Sequence, residues 1–278
     1  MRAEAAERGL AAGFHAGPAG PVFALRRAPP PGTETRAQAL ILPPFAEEMN
    51  RCRPFLAALG RTLADAGVAT LLPDLHGTGD SAGDFAAADW DTWLAEIAFL
   101  RATLAAEGAG PLHLIGVRTG CLLAAESLAR DRGTVAGLVC LQPVTNGERF
   151  LTQLLRLRVA ATMAQGARES AKGLRADLDA GTSVTLGGYT LAPVLARALA
   201  ARRLDRLTPP AGLPVHWIET VEPATEAPPS PAPPETWPGA AMAVRQLRAA
   251  PPWSRAEPEI PPALLAAMVE AVSATEPT

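Results

Sequence analysis

The stretch "PLHLIGVRTGCLLAAESLA" (111–129) holds the residues best placed to do chemistry. Leu112, Leu114 and Ile115 form an apolar run, and Gly116 and Gly120 bracket a turn. Leu122, Leu123, Ala124, Ala125 and Leu128 then carry a helical apolar face. A Gly-x-Ser-x-Gly turn between strand and helix lifts a serine nucleophile onto a strained corner. Here the middle residue is Arg118, whose guanidinium stays protonated and cannot attack a carbonyl. Beside a helix N-terminus it can instead bind a carboxylate, phosphate or acidic sugar in bidentate fashion. It can equally pair with Glu47 or Glu48 of "PPFAEEMNR" and hold a pocket shut, because a buried arginine has to find a carboxylate. The residues alone leave both readings open.

In open α/β sheets ligands lie outside the carboxyl ends of the strands, so the segments that follow each strand supply the other candidates. "PDLHGTGDS" brings His76, although turn geometry alone accounts for that residue equally well. "QPVTNGER" brings Gln142 and Asn146 as hydrogen-bonding groups, and "PPWSRAEPE" brings Trp253 as a flat face for a sugar or acyl chain. Glu47 and Glu48 read weakly as a general acid/base pair, since adjacent residues in a strand or turn point apart. His113 and His216 fall inside strands, and His15 lies near the N-terminus. Cys121 reads as small-residue packing; as a nucleophile it needs a base close by. With no CxxC, His-x-His or HExxH spacing and no P-loop lysine, neither a metal nor a cofactor is expected.

These groups need elements to hold them. "GPVFALRRAP" (20–29), "AQALILPPF" (37–45), "VATLLPDLHGTGDS" (68–81), "VAGLVCLQPV" (135–144) and "LPVHWIETV" (213–221) read as strands. Residues 53–67 and 89–108 read as amphipathic helices, the second with Asp89 as N-cap, and 261–272 as a helix opened by prolines. Strands alternating with helices imply an α/β fold, a mostly parallel sheet with helices on both faces. Residues 145–210 break that alternation. They read as an Arg-rich helical insertion or lid with no strand, Phe150, Leu151, Leu154 and Leu155 lining one side. Residues 222–238 read as a proline-rich loop. The whole, 1–278, reads as one domain carrying the lid.

The 278 residues are 48 % hydrophobic and 19 % charged, with a formal net charge of −3, which excludes wholesale disorder. No basic stripe with interleaved aromatics argues for nucleic acid, and no apolar run is long enough to form a transmembrane segment. The start of the chain lacks the apolar core of a signal peptide. Three scattered cysteines suit a reducing compartment, so a cytoplasmic protein is expected. Oligomeric state is not legible.

"DLHGTGDS" (74–81) looks like the Asp-x-x-Gly-x-Gly-x-Ser turn common in α/β-hydrolases, and Gly116 to Gly120 fits their elbow. The set "LPPFAEEMNRCR" (42–53), "GVRTG" (116–120), "LQPVTNGERFLTQLLRLR" (141–158) and "GYTLAP" (188–193) resembles the type 2 hydrolases associated with the exosortase A system of bacteria. The resemblance implies an α/β-hydrolase fold and a link to exopolysaccharide export or protein sorting. Exopolysaccharide-pathway proteins are therefore expected partners, and no substrate is implied. A Ser-His-acid relay needs all three members in mutual reach. Arg118 stands at the elbow and Glu219 or Glu222 can fill the acid place, but no histidine follows the last strand near 251–259. The reading that follows is a degenerate triad in a protein that binds a small anionic or acylated ligand or a partner. The alternative is an ester or thioester hydrolase or acyltransferase in which Arg118 stabilises an oxyanion and Glu47 or Glu219 activates water.

Overall fold

The computed structural model describes residues 9–163, 168–222, 233–235, 237, 240–254 and 259–274. Strands β1 (Leu10–Gly17), β2 (Gly20–Arg27), β3 (Ala37–Leu42) and β4 (Val68–Pro73) join β5 (Leu112–Val117), β6 (Val135–Leu141), β9 (Pro214–Val221) and β10 (Ala241–Arg248) in one eight-stranded sheet. Its order is β1-β2-β4-β3-β5-β6-β9-β10. Strand β2 runs antiparallel to both neighbours and all other pairs are parallel. The central strands β3 and β5 are buried along their whole length, as parallel strands covered on both faces must be.

The pleat divides the core. Ala37, Ala39 and Ile41 of β3 pack with helices α1 (Ala46–Asp65) and α7 (Pro262–Ser273). Leu40 and Leu42 face α2 (Trp90–Glu107) and α3 (Gly120–Arg130) on the other side. Helix α2 starts where Asp89 accepts hydrogen bonds from the N–H groups of Asp91 and Thr92 at 3.0 and 2.9 Å, and stops at left-handed Gly108. The elbow glycines are demanded by contact. A Cβ on Gly120 would lie 2.0 Å from the Leu42 carbonyl oxygen, and one on Gly116 would lie 2.6 Å from the Cys121 Cα. Helix α3 sits that close to the sheet.

One strand was not foreseen and two expectations need correction. Residues 10–17 form an edge strand, paired with β2 throughout and exposed over most of its length; with almost no burial it left no apolar pattern to read. Helix α1 begins at Ala46 rather than at 53. Pro54 lies inside that helix on an exposed face, and Glu47 and Glu48 belong to the first turn of a helix and not to a strand end. The segment between β6 and β9 is also not purely helical. Between α4 (Gly147–Met163), α5 (Ala171–Asp179) and α6 (Pro193–Ala201) stands a hairpin of β7 (Val184–Leu186) and β8 (Tyr189–Leu191). Its two-residue turn is Gly187-Gly188, both at positive φ, a hairpin signature that was present in the sequence. Most of 222–238 lies outside the described residues.

Candidate functional site

Three non-glycine residues have positive φ among the described residues: Ala46 (55°), Arg118 (55°) and Gln142 (44°). Each lies just beyond the carboxyl end of a central strand, and all three surround one place. Left-handed backbone costs a residue with a side chain on the order of 1 kcal/mol or more, and such strain gathers at functional sites. The elbow corner is pinned on both sides, with Arg118 N–H donating to the Leu141 carbonyl at 2.9 Å and its own carbonyl accepting from Val144 N–H at 3.2 Å.

Above that corner opens a cavity of about 380 Å³. The sheet side contributes Phe45, Glu47, Glu48, Arg51, Phe85, Arg118 and Trp253. The insertion contributes Phe150, Leu154, Leu157, Arg158, Leu186, Tyr189 and Leu191. Arg118 forms the floor. Its Nε and Nη2 donate to Glu48 Oε1 at 3.1 and 3.0 Å, and Nη1 donates to the Gln142 carbonyl at 3.1 Å. The guanidinium carbon also lies 5.6 Å from the Phe150 ring centroid and 5.3 Å from that of Trp253, a cation held between two π faces. Only 12 % of the Arg118 side chain and 17 % of the Glu48 side chain are exposed. Burial pushes the Glu48 carboxyl above its ordinary range, with Arg118 offsetting part of that effect.

Of the two partners open to Arg118, the structure thus selects Glu48. Glu47 is exposed, turns away and pairs with Arg51 four residues on. A one-residue step along a helix turns the side chain by about 100°, which is why two adjacent glutamates find different arginines.

Of the residues expected at the site, Arg118, Glu47, Glu48 and Trp253 meet at the cavity. The side chains of the others are employed elsewhere, although the Gln142 carbonyl holds Arg118. Gln142 Oε1 accepts from the N–H and hydroxyl of Thr220 at 2.7 and 3.1 Å, tying β6 to β9. Asn146 Oδ1 accepts from Arg149 N–H at 3.1 Å at the start of α4. Glu219 accepts from Trp217 Nε1 at 2.8 Å, and burial raises its pKa while the Arg118 charge lowers it. His76 lies in the glycine turn under Gly83, and its backbone N–H donates to Glu96 at 2.8 Å. His113 is buried in β5 with its pKa lowered by burial to about 4, His216 lies in β9, and His15 is on the edge strand β1. None of the four histidines lines the cavity. Cys121 donates to the Gly116 carbonyl at 3.1 Å, and burial beside Cys140 pushes its thiol up, so it is a packing residue. Among the described residues no group of histidine, cysteine and carboxylate side chains could hold a metal ion.

Of the insertion residues expected to line one side, Phe150 and Leu154 reach the cavity; sequence reasoning missed Tyr189, whose hydroxyl donates to Asn50 Oδ1 at 2.9 Å and whose ring meets that of Phe85. The Gly-Gly turn was the signal that could have placed it. It also missed Arg158, which pairs with Glu169 and donates to the Thr185 carbonyl.

A strand-to-helix elbow with a glycine on either side, at the end of a parallel strand in this sheet order, is the arrangement shared by α/β-hydrolases. A family model described as serine aminopeptidase, S33, matches residues 33–184, a span running from the loop before β3 to the start of β7. The chain belongs to the S33 serine aminopeptidase family. The α/β-hydrolase fold extends beyond that span. Est1E from Butyrivibrio proteoclasticus, solved with ferulic acid bound, superposes with a TM-score of 0.65 at 17 % identity, covering 92 % of this chain and 95 % of that one. A putative hydrolase from Agrobacterium vitis S4 gives 0.61 at 18 %, covering 97 % and 100 %. XC6422 from Xanthomonas campestris, described as an α/β serine hydrolase without lid, gives 0.56 at 15 %, covering 97 % and 96 %. No curated protein matches the chain by sequence. Within the S33 family, the elbow residue of this member is an arginine.

Proposed function

We propose that this chain is an α/β-hydrolase-fold protein that has given up the Ser-His-acid relay and uses the cavity above its elbow to bind an acylated ligand. The observation that carries the reading is Arg118. It occupies the elbow, is fixed by Glu48 and the Gln142 carbonyl, and lies between Phe150 and Trp253. A nucleophile there would have to be activated by a base in reach, and none of the four histidines lines the cavity. The walls are apolar and aromatic with a few convergent polar groups, the make-up of a small-molecule site. The insertion acts as a lid whose apolar face takes the acyl part.

We further propose, on the resemblance of "LPPFAEEMNRCR" and "GVRTG" to exosortase A-associated hydrolases, that this binding serves exopolysaccharide assembly or protein sorting, with proteins of that pathway as partners. We assign it to the cytoplasm. Two observations accord with that: Cys52, Cys121 and Cys140 are free and buried, and no described helix is long and apolar enough to cross a membrane.

A second reading, a hydrolase or acyltransferase with a non-standard site, draws on Glu48 and Glu219. Both are carboxyls whose pKa burial raises, and both feel the Arg118 charge. One experiment separates the two. Activated esters and thioesters of graded acyl length are offered to the wild type and Arg118→Ala, and calorimetry measures binding of a non-hydrolysable acyl analogue. Saturable binding without turnover above buffer is the expected result. Turnover that falls in Arg118→Ala would establish the second reading instead.

A further inference from the structure

Each arginine that lines the cavity already has a carboxylate of its own: Arg118 has Glu48, Arg51 has Glu47 and Arg158 has Glu169. The cavity therefore offers no uncompensated positive charge. A carboxylate entering it would have to displace Glu48 from Arg118 or lie beside Glu48 and Glu47 with nothing to neutralise it, and both are unfavourable in a partly buried site. An uncharged head meets no such penalty. Arg118 spends its Nε–H and one N–H of each terminal nitrogen on Glu48 and Gln142, so two of its five N–H groups are left for a carbonyl or hydroxyl oxygen.

We propose that Glu48 sets the head-group charge accepted by this cavity, so that it takes aliphatic-chain ligands with a neutral head (ester, thioester or alcohol) and rejects free carboxylates. This rests on the ligand-binding reading of the cavity and narrows it. The notion of Arg118 as an anion receptor is thereby replaced: with Glu48 as its resident carboxylate, the arginine orients a neutral acceptor. The charged groups that act on Glu48 are Arg118 from the elbow and Arg51 and Glu47 from its own helix, with the Cys52 thiol close by. Only Glu48 itself holds the Arg118 guanidinium among the carboxylates that line the cavity.

The test is titration calorimetry of the intact protein at pH 8 with octan-1-ol, methyl octanoate and sodium octanoate. In the wild type the two neutral probes are expected to bind at least about tenfold more tightly than octanoate. In Glu48→Gln, the affinity of octanoate relative to the neutral probes is expected to rise about tenfold or more, and adding Arg118→Met to that variant should abolish the gain. Equal binding of neutral probes and octanoate by the wild type would overturn the inference and leave the cavity reading standing, and this result needs no variant to fold. A ratio that Glu48→Gln leaves unchanged would likewise overturn it. Binding of none of the three probes would overturn the cavity reading, and the inference with it.

Discussion

The two walls of the cavity are built on different physical grounds. The sheet-side floor is polar, strained and over-determined: Arg118 and Ala46 are held at positive φ, and one partly buried guanidinium makes hydrogen bonds, an ion pair and two ring contacts at once. The lid-side roof is a set of apolar side chains on α4 and a short hairpin, several of them partly exposed, joined to the body by contacts such as Tyr189–Asn50. A roof of that kind supplies affinity through burial and is indifferent to head-group chemistry. A floor of preorganised, mutually neutralising charges adds little net attraction but discriminates sharply. On the proposed binding reading, selectivity belongs to the floor and affinity to the roof.

The largest expected break is in the floor's frame. Gly120→Ala would drive a Cβ against the Leu42 carbonyl oxygen, with a loss of about 4 kcal/mol or failure to fold, read by urea unfolding and yield of soluble protein. Wild-type stability in that variant would mean that α3 can lift from the sheet at little cost.

Next comes the ion pair. Arg118→Ala leaves Glu48 buried without its cation, and a loss of about 3 kcal/mol is expected at pH 8. Glu48 takes up a proton more readily in that variant, so the deficit should shrink as pH is lowered toward 5. A deficit that does not change with pH would assign the loss to the two ring contacts instead.

A carboxyl outside both walls provides the control for paired against unpaired burial. Glu96 on α2 is 1 % exposed, accepts from the His76 N–H, and is pushed up by burial to about 7. Between the unfolded value near 4.5 and about 7 the folded state holds the extra proton. Its contribution to stability therefore falls as pH rises through that window, and the full penalty stands above 7. Glu96→Gln should be more stable than wild type by roughly 3 kcal/mol at pH 8 and close to it near pH 4. Unfolding curves at both pH values decide this, and equal differences at the two would refute it.

The smallest effects lie in the roof. Tyr189→Phe removes one hydrogen bond between lid and α1, and about 1 kcal/mol or less is expected. Leu157 is 56 % exposed at the mouth, so Leu157→Ala should cost less than about 0.5 kcal/mol of stability. It should still weaken methyl octanoate and octanoate by the same few-fold factor, which calorimetry reads. A change in their ratio would move selectivity into the roof and collapse the distinction between the walls.

The same division marks what could be read from the residues. The strands β2 to β6 and β9, the helices α2, α3 and α7, and the elbow announced themselves because each has a local signature: apolar runs, an Asp cap, paired glycines. The edge strand β1 and the hairpin β7–β8 were missed. Burial, not backbone pairing, writes the period-two pattern, and these strands are exposed or only three residues long. At the site, the types of residue were visible and their partners were not. The sequence by itself determined that the elbow carries a permanent cation and that carboxylates stand near it, since those follow from residue identity and from the order of strands. Only the tertiary structure decided that Glu48 and not Glu47 holds Arg118, that Phe150 from the insertion and Trp253 from beyond β10 close on the same guanidinium, and that Gln142, Asn146, Glu219 and His76 are engaged elsewhere. The reason is physical: these contacts join residues up to 135 positions apart (Arg118 and Trp253), and their geometry depends on how α1 and the insertion pack over the sheet, on which short-range propensity has no bearing.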